Sequence, residues 1–264
     1  MVEAANWAPR LAELARRSHA SAAMLRICAG IAGPAAFTGA WIVSSLRQTG
    51  YPAAEIQISG LAAPDARDPW IMVAGFVVLG GCTVAFGAAL HEALGGRGSA
   101  GPGRGVGPGR GVGRGRGVGR GRRRGGAGLA PRLIQGAGLL TIAAGLLRRD
   151  RMLLTPGSVS WHNHAHDLVS AVIYVDLVAA QVLLAGRFGR DPAGLEPTWR
   201  SWGPWRPWLL ASGLATGAAL IAFAAVTPAA EAGVLQRVAV TIPLVAIAAV
   251  AVRLLRTAAR SGWP

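Results

Sequence analysis

Apolar residues in this chain occur in long continuous runs that are separated by polar or arginine-rich segments. Most runs have about 20 residues, which at roughly 1.5 Å per residue matches a hydrocarbon layer about 30 Å thick. The alternating pattern expected of a barrel strand does not occur in them. The pattern predicts an all-α polytopic membrane protein, a bundle of six transmembrane helices in the lipid bilayer. The predicted spans are 27–46, 70–90, 133–147, 168–186, 208–226 and 234–255.

Composition and charge support this class and give an orientation. Of the 264 residues, 52% are hydrophobic and 15% are charged, which a single soluble core could not bury. All 27 basic residues are arginine, and 21 of them fall in segments that are cytoplasmic if the N-terminus is inside. The positive-inside rule therefore predicts a plasma-membrane protein with both termini in the cytoplasm. The predicted outer segments hold the other six, Arg47, Arg67, Arg148, Arg149, Arg151 and Arg237.

The segments outside the helices differ in character. Residues 1–26 mix leucines with arginines, which predicts an amphipathic helix on the inner leaflet, and residues 256–264 form a short cytoplasmic tail. Helices one and two occupy 27–90, and helices three to six occupy 133–255. The third span, at 15 residues, is short and would need local thinning of the bilayer or flanking arginines that snorkel.

The loop 91–132 is rich in arginine and glycine and is predicted to be disordered, because almost nothing in it can pack. The sequence GRGVG starts at Gly103, Gly109 and Gly115. One interpretation is contact with anionic lipid headgroups, which attract arginine at about 1 kcal/mol per side chain. Nucleic-acid binding is disfavoured, since the loop has no phenylalanine or tyrosine on which bases could stack. The third interpretation is a passive repeat without a partner.

Histidines and aspartates concentrate in SWHNHAHD, residues 160–167, at the start of the fourth predicted span. On a helix, His162 and His166 at i and i+4 can point to one place, as zinc or another divalent metal requires. Asp150 is a candidate third ligand, with Asp65 or Asp68 as alternatives, and Asp167 is a candidate catalytic base. One alternative is structural: Ser160 caps the helix, Asp167 favours its positive end, and interfacial histidines need no ligand. Another is a pH-sensitive or proton-handling role for the histidines.

Asp176 is separate from this group, because it lies ten residues past His166 and therefore about 15 Å deeper. A carboxyl group at that depth is expensive, so we expect it to be protonated, paired or in a water-filled cavity. It is the candidate proton-carrying residue if the protein is a transporter.

Two stretches resemble a known family. They are similar to the bacterial membrane family named domain of unknown function 998. The first stretch is EIQISGLAAPDARDPWIMVAGFVVLGG, before and within the second span, and the second is Asp150 followed by a Pro/Gly loop and SWHNHAHD. The resemblance covers roughly residues 25–255 without the arginine- and glycine-rich loop. It implies six spans with the histidines outside, and it implies no activity. Its pattern is matched by Ser59, Asp150, Trp161, His162, His166 and Asp167.

Three functions remain open at this point. The leading hypothesis is a bundle that binds, senses or supports another component at the outer face, with Gly213 and Gly217 in GLATG as helix-packing positions. The second is a metal-dependent hydrolase of a lipid or envelope substrate that uses the histidine and aspartate group. The third is a proton-coupled transporter, although no inverted repeat is evident in the sequence.

Overall fold

The computed structural model describes residues 7–95, 128–152, 159–188, 201–226 and 231–261. Within these ranges all regular structure is helical, and six helices are long and apolar enough to cross a membrane. The predicted all-α class with six membrane-spanning helices is thus confirmed. The helices are α1 (Trp7–Arg47), α2 (Pro69–Gly95), α3 (Leu129–Leu146), α4 (Trp161–Phe188), α5 (Trp205–Val226) and α6 (Ala232–Ser261).

The helices are longer than the predicted apolar runs. α3 has 18 residues, since it starts four residues before the predicted third span. α1 is continuous over 41 residues, so the amphipathic N-terminal stretch and the first span belong to one helix. α4 begins at Trp161 and therefore contains the histidines in its first turns. Residues 96–127, which hold the arginine-glycine repeats, lie outside the described residues, and the disorder and lipid contacts expected of them stay predictions.

The six helices form a closed ring. Each helix packs mainly against the next one along the chain, and α6 packs against α1. α2 and α3 approach each other closely, because a Cβ built on Gly80 would lie only 2.5 Å from the carbonyl oxygen of Gly138. The expected role of Gly217 was wrong, since nothing lies within 4 Å of a Cβ built there, and Gly213 has only ordinary van der Waals contacts.

Between α1 and α2 the described chain is largely irregular. Residues 51–66, here called the cap, fold over one end of the helices and include a 3₁₀ helix at Ile58–Ala62 whose five residues are all buried. Ile58, Leu61 and Met72 are among the fully buried side chains at this end. Irregular backbone is tolerated within a membrane protein where it is enclosed by other parts of the chain. The cap therefore closes the ring at the end where α4 begins.

Candidate functional site

Arg237 on α6 attaches the cap to the helices. Its guanidinium donates to the carbonyl oxygens of Ala53 (2.6 Å) and Ile56 (3.1 Å) and to the hydroxyl of Tyr51 (2.7 Å). The same group lies 5.5 Å from the ring centre of Trp41, within cation–π range. One arginine thus joins the cap to both α1 and α6.

Gln236, the residue before Arg237, holds the 3₁₀ helix. Its side-chain oxygen accepts the backbone N–H of Ile58, and its Nε2 donates to Ser59 Oγ at 3.5 Å. Gly233, one turn earlier, makes this approach possible, because a Cβ built there would lie 2.5 Å from the carbonyl oxygen of Ala53. The start of α6 and the cap are therefore in direct backbone contact.

Arg149, just beyond α3, joins the cap to α4. Its side chain is only 6% exposed, donates from Nη1 to Gln57 Oε1, and donates from Nε to Asn163 Oδ1 at 3.3 Å. The carboxylate of Asp167 lies 3.9 Å away and accepts from Asn163 Nδ2 at 2.9 Å. Burial lowers the pKa of the Arg149 guanidinium, and the nearby carboxylates of Asp167 and Asp150 oppose that shift. The guanidinium remains charged, because its ordinary pKa is so high.

His166 points into the ring and is 2% exposed. Its Nδ1 lies 2.9 Å from the carbonyl oxygen of Ala144 and 2.8 Å from that of Leu147, both near the end of α3. Carbonyl oxygens only accept hydrogen bonds, so Nδ1 must carry a proton. In the neutral ring, Nε2 is then left as an acceptor. This histidine bridges two helices and, in its neutral form, offers Nε2 as a hydrogen-bond acceptor.

His162 does not share this position. It is exposed and stacked on Trp161, with the ring centres 3.7 Å apart. Asp150 accepts from both the backbone N–H (2.7 Å) and the hydroxyl of Ser160, immediately before α4. These hydrogen bonds lower the pKa of Asp150, with the side-chain bond to Ser160 as the largest cause. Asp150 thus stabilises the start of α4.

The predicted metal ligands His162, His166 and Asp150 are consequently not gathered at one point. Among the residues that the structure describes, no group of three or more His, Cys, Asp or Glu side chains is placed to hold a metal ion. Asp65, an alternative ligand, accepts the backbone N–H of Met152 at 2.7 Å, and Asp68 is paired with Arg47 at 2.6 Å. Bound zinc and a catalytic role for Asp167 stay predictions of the sequence.

A cavity of about 70 Å³ lies beneath the cap, in the centre of the ring. At roughly 10–15 Å³ for each water, it has room for several water molecules or for one small chemical group. His166, Ser59 and Gln236 supply polar groups at its wall, and none of the described residues that line it is Asp, Glu, Lys or Arg. The other lining residues are Phe37, Ile58, Phe76, Thr141, Ala144, Ser170, Ile173, Tyr174, Leu177, Val240, Pro243 and Leu244.

Asp176 lies elsewhere, in the groove between α4 and α3. A Cβ built on Gly136 would be 3.3 Å from its Oδ2, and the side chain does not line the central cavity. The structure therefore separates the intramembrane carboxyl group from the polar groups beneath the cap.

A comparison with protein-family models matches the family described as protein of unknown function (DUF998) over residues 31–109 and 110–253. The chain belongs to this family. The two matched segments meet inside the arginine- and glycine-rich stretch. No curated protein and no solved structure matches the chain. The function of this DUF998 protein is therefore inferred from the geometry of its own residues.

The sequence analysis missed Asn163, Arg149 and Gln57 as parts of the site. One available signal was the spacing of polar residues on α4: Asn163, His166, Ser170 and Tyr174 follow the i, i+3, i+4 pattern of one helix face. The pair His162 and His166 lies on a neighbouring face of the same helix, which could also have pointed into the ring. The start and rotation of α4 determine which of these two faces points inward.

Proposed function

We propose that this membrane protein binds a ligand and holds an uncharged, hydrogen-bonding group of that ligand in the cavity beneath the cap. The observation that carries the proposal is His166, whose Nδ1 is committed to α3 carbonyls while its ring lines the cavity. The remaining nitrogen accepts a hydrogen bond, so it suits a hydroxyl or amide donor on the ligand. By the positive-inside rule, we expect this end of the ring to face the outside of the cell.

The absence of charge at the cavity wall supports an uncharged group. None of its lining residues is acidic or a permanent cation, so a charged ligand group would lose its hydration without a counter-ion. Arg149, the buried cation of the site, is already bonded to Gln57 and Asn163. A carboxylate or phosphate would therefore bind poorly in this cavity.

A metal hydrolase receives less support. His162 and His166 diverge, and Asp150 is engaged by the start of α4. For a proton-coupled transporter, Asp176 lies away from the cavity where substrate would be bound. Neither alternative has a geometric observation of comparable weight.

Native mass spectrometry of the full-length protein, released gently from membranes, tests the proposal. Ser170→Trp fills the cavity from its wall, and Val175→Trp adds the same indole on the 60% exposed, outward side of the same helix. We expect a bound small molecule on the wild type and on Val175→Trp, and none on Ser170→Trp. Identical spectra for all three proteins would refute binding in the cavity.

A further inference from the structure

An open groove lies on the outside of the ring, where α2 begins and α3 ends. Its volume of about 360 Å³ falls within the range of roughly 300–1,000 Å³ that small-molecule sites occupy. It shares no lining residue with the cavity beneath the cap, so the two are separate sites. The residues that line this α2–α3 groove are Pro69, Trp70, Val73, Gly145, Leu146 and Arg148.

The floor of the groove is closed by a contact between its two helices. A Cβ built on Gly145 would lie 2.5 Å from the Cβ of Phe76, so α3 packs directly on α2 at this level. The walls face outward, since Trp70 and Leu146 are each 66% exposed. Outward-facing apolar side chains of membrane-spanning helices meet lipid, so the groove opens toward the bilayer.

The groove lies at the level of the lipid headgroups. α3 has 18 residues and is therefore roughly 27 Å long, close to the thickness of the hydrocarbon layer. Leu146 is the last residue of α3, so it lies near the edge of that layer, and Arg148 follows two residues later. Trp70, the second residue of α2, is a residue type enriched at this interface. The groove thus combines apolar walls with a cation at headgroup level.

The charge of Arg148 is not compensated within the described part of the chain. Its side chain is exposed, and no hydrogen bond or ion pair joins it to a described residue. The nearest carboxylate in sequence to the start of α2 is Asp68, which is paired with Arg47 at 2.6 Å and hydrogen-bonded by the Trp70 side chain. Arg148 is therefore available to an anion that enters the groove.

A phospholipid matches both the cation and the apolar surface. Arginine presents a planar set of N–H donors that can bond two phosphate oxygens together. Val77 and Leu139 lie seven residues deeper on the same helix faces as Trp70 and Leu146, and they are 40% and 60% exposed. An acyl chain can therefore lie on the outer surface of α2 and α3, directly below a phosphate at Arg148.

We infer that the α2–α3 groove binds a phospholipid, with its phosphodiester on Arg148, its glycerol region against Trp70 and an acyl chain along Val77 and Leu139. The inference concerns a different site from the cavity beneath the cap and does not rest on the proposed function. By the positive-inside rule, we expect the lipid to come from the outer leaflet. An arginine on the predicted outer side would then have a partner in the membrane itself.

Native mass spectrometry of the full-length protein in detergent, titrated with dioleoyl phosphatidylglycerol, tests the inference. Arg148→Met removes the guanidinium of the groove. Arg151→Met is the matched control with the same net charge, because Arg151 is also exposed but does not line the groove. We expect Arg148→Met to bind the first lipid about fivefold more weakly than the wild type, and Arg151→Met to bind it unchanged. Equal affinities of the two variants would overturn the inference.

Two further probes identify the part of the lipid that is recognised. Dioleoylglycerol has the same chains without a phosphate, and glycerol 3-phosphate has the phosphate without chains. We expect weak binding of dioleoylglycerol that Arg148→Met does not change, and no detectable binding of glycerol 3-phosphate. Dioleoylglycerol that bound as tightly as phosphatidylglycerol would refute recognition of the phosphate. Glycerol 3-phosphate that bound as tightly would refute a lipid as the ligand.

A second pair of variants tests the groove without changing its charge. Val73→Trp fills the groove from α2, whereas Val78→Trp adds the same indole roughly 140° away around the helix, at a position that is 45% exposed. We expect Val73→Trp to weaken binding of phosphatidylglycerol and Val78→Trp to leave it unchanged. Unaltered binding by Val73→Trp, with a circular dichroism spectrum like that of the wild type, would contradict a lipid in the groove. If Val73→Trp does not fold, the two arginine variants decide the question.

Discussion

Arg149 and Gln57, 92 positions apart in the chain, are joined by a hydrogen bond in which the guanidinium Nη1 donates to the amide oxygen. The same guanidinium donates to Asn163 on α4. A single buried cation thereby fixes the cap relative to the start of the helix that carries His166.

Replacement of Arg149 should destabilise the protein. Arg149→Met leaves the polar groups of Gln57 and Asn163 without their donor, and we expect a loss of about 3 kcal/mol in the free energy of unfolding. Titration with sodium dodecyl sulfate, followed by circular dichroism, measures the change. Arg148→Met is the control, since Arg148 is exposed and should cost little. Equal effects of the two substitutions would contradict the assigned contacts.

His166→Asn should separate the two roles of the histidine. The amide nitrogen of asparagine stands at the same number of bonds from Cα as Nδ1, so it can still donate to the carbonyl of Ala144 or Leu147. It offers no equivalent of Nε2 to the cavity. We expect near-normal stability together with loss of the bound molecule in native mass spectra. His166→Ala should lose both, with a cost of about 1–3 kcal/mol from the unpaired carbonyls.

His162→Ala is the control for this experiment. Because His162 is exposed and stacked only on Trp161 among its described ring contacts, we expect unchanged ligand binding and stability. If His162→Ala also lost the ligand, the functional site would include both His162 and His166, as the sequence predicted.

The close approach of α2 and α3 should make Gly80 sensitive to a single methyl group. Gly80→Ala places its Cβ against the backbone of Gly138, which cannot move without the helix, and we expect a loss of about 1–3 kcal/mol. In Gly217→Ala the added Cβ has no neighbour within 4 Å, so this substitution should be neutral or slightly stabilising. Thermal unfolding of the two variants in one detergent provides the comparison.

Asp150 should contribute to stability in a pH-dependent manner. Its pKa in the folded protein is lowered by the hydrogen bonds from Ser160. Its contribution is therefore present above the unfolded pKa of about 3.9 and is lost as the pH falls through the lower folded pKa. We expect Asp150→Asn and Ser160→Ala to flatten the acid side of the stability profile. Variant profiles that run parallel to that of the wild type as the pH falls through ~4 would contradict this role.

The sequence predicted the helices well because the bilayer imposes a length on each of them. Even the short third span was correctly placed, since α3 gains its additional residues before Leu133. The rotation of α4 was harder to predict. His162 and His166 form a plausible pair on a helix face, and only packing against Ala144 and Leu147 turns His166 inward and leaves His162 exposed.

The cap could not be predicted because its contacts are nonlocal. Nothing near Gln57 in the sequence indicates a bond to Arg149, and nothing near Ile58 indicates Gln236, 178 positions later. Three arginines of the predicted outer segments, which are exceptions to the positive-inside pattern, have nonlocal partners of the same kind. Arg47, Arg149 and Arg237 are bonded to Asp68, Gln57 and cap carbonyls respectively.

The contact of α6 with both α1 and the cap has a consequence for biosynthesis. Residues 51–66 leave the ribosome well before α6, the helix that carries their anchors Gln236 and Arg237. Until that helix inserts, the buried backbone of Ile58–Ala62 has only part of its final surroundings. The nascent chain is therefore open on one side until α6 inserts, and this insertion both completes the ring and fixes the cap.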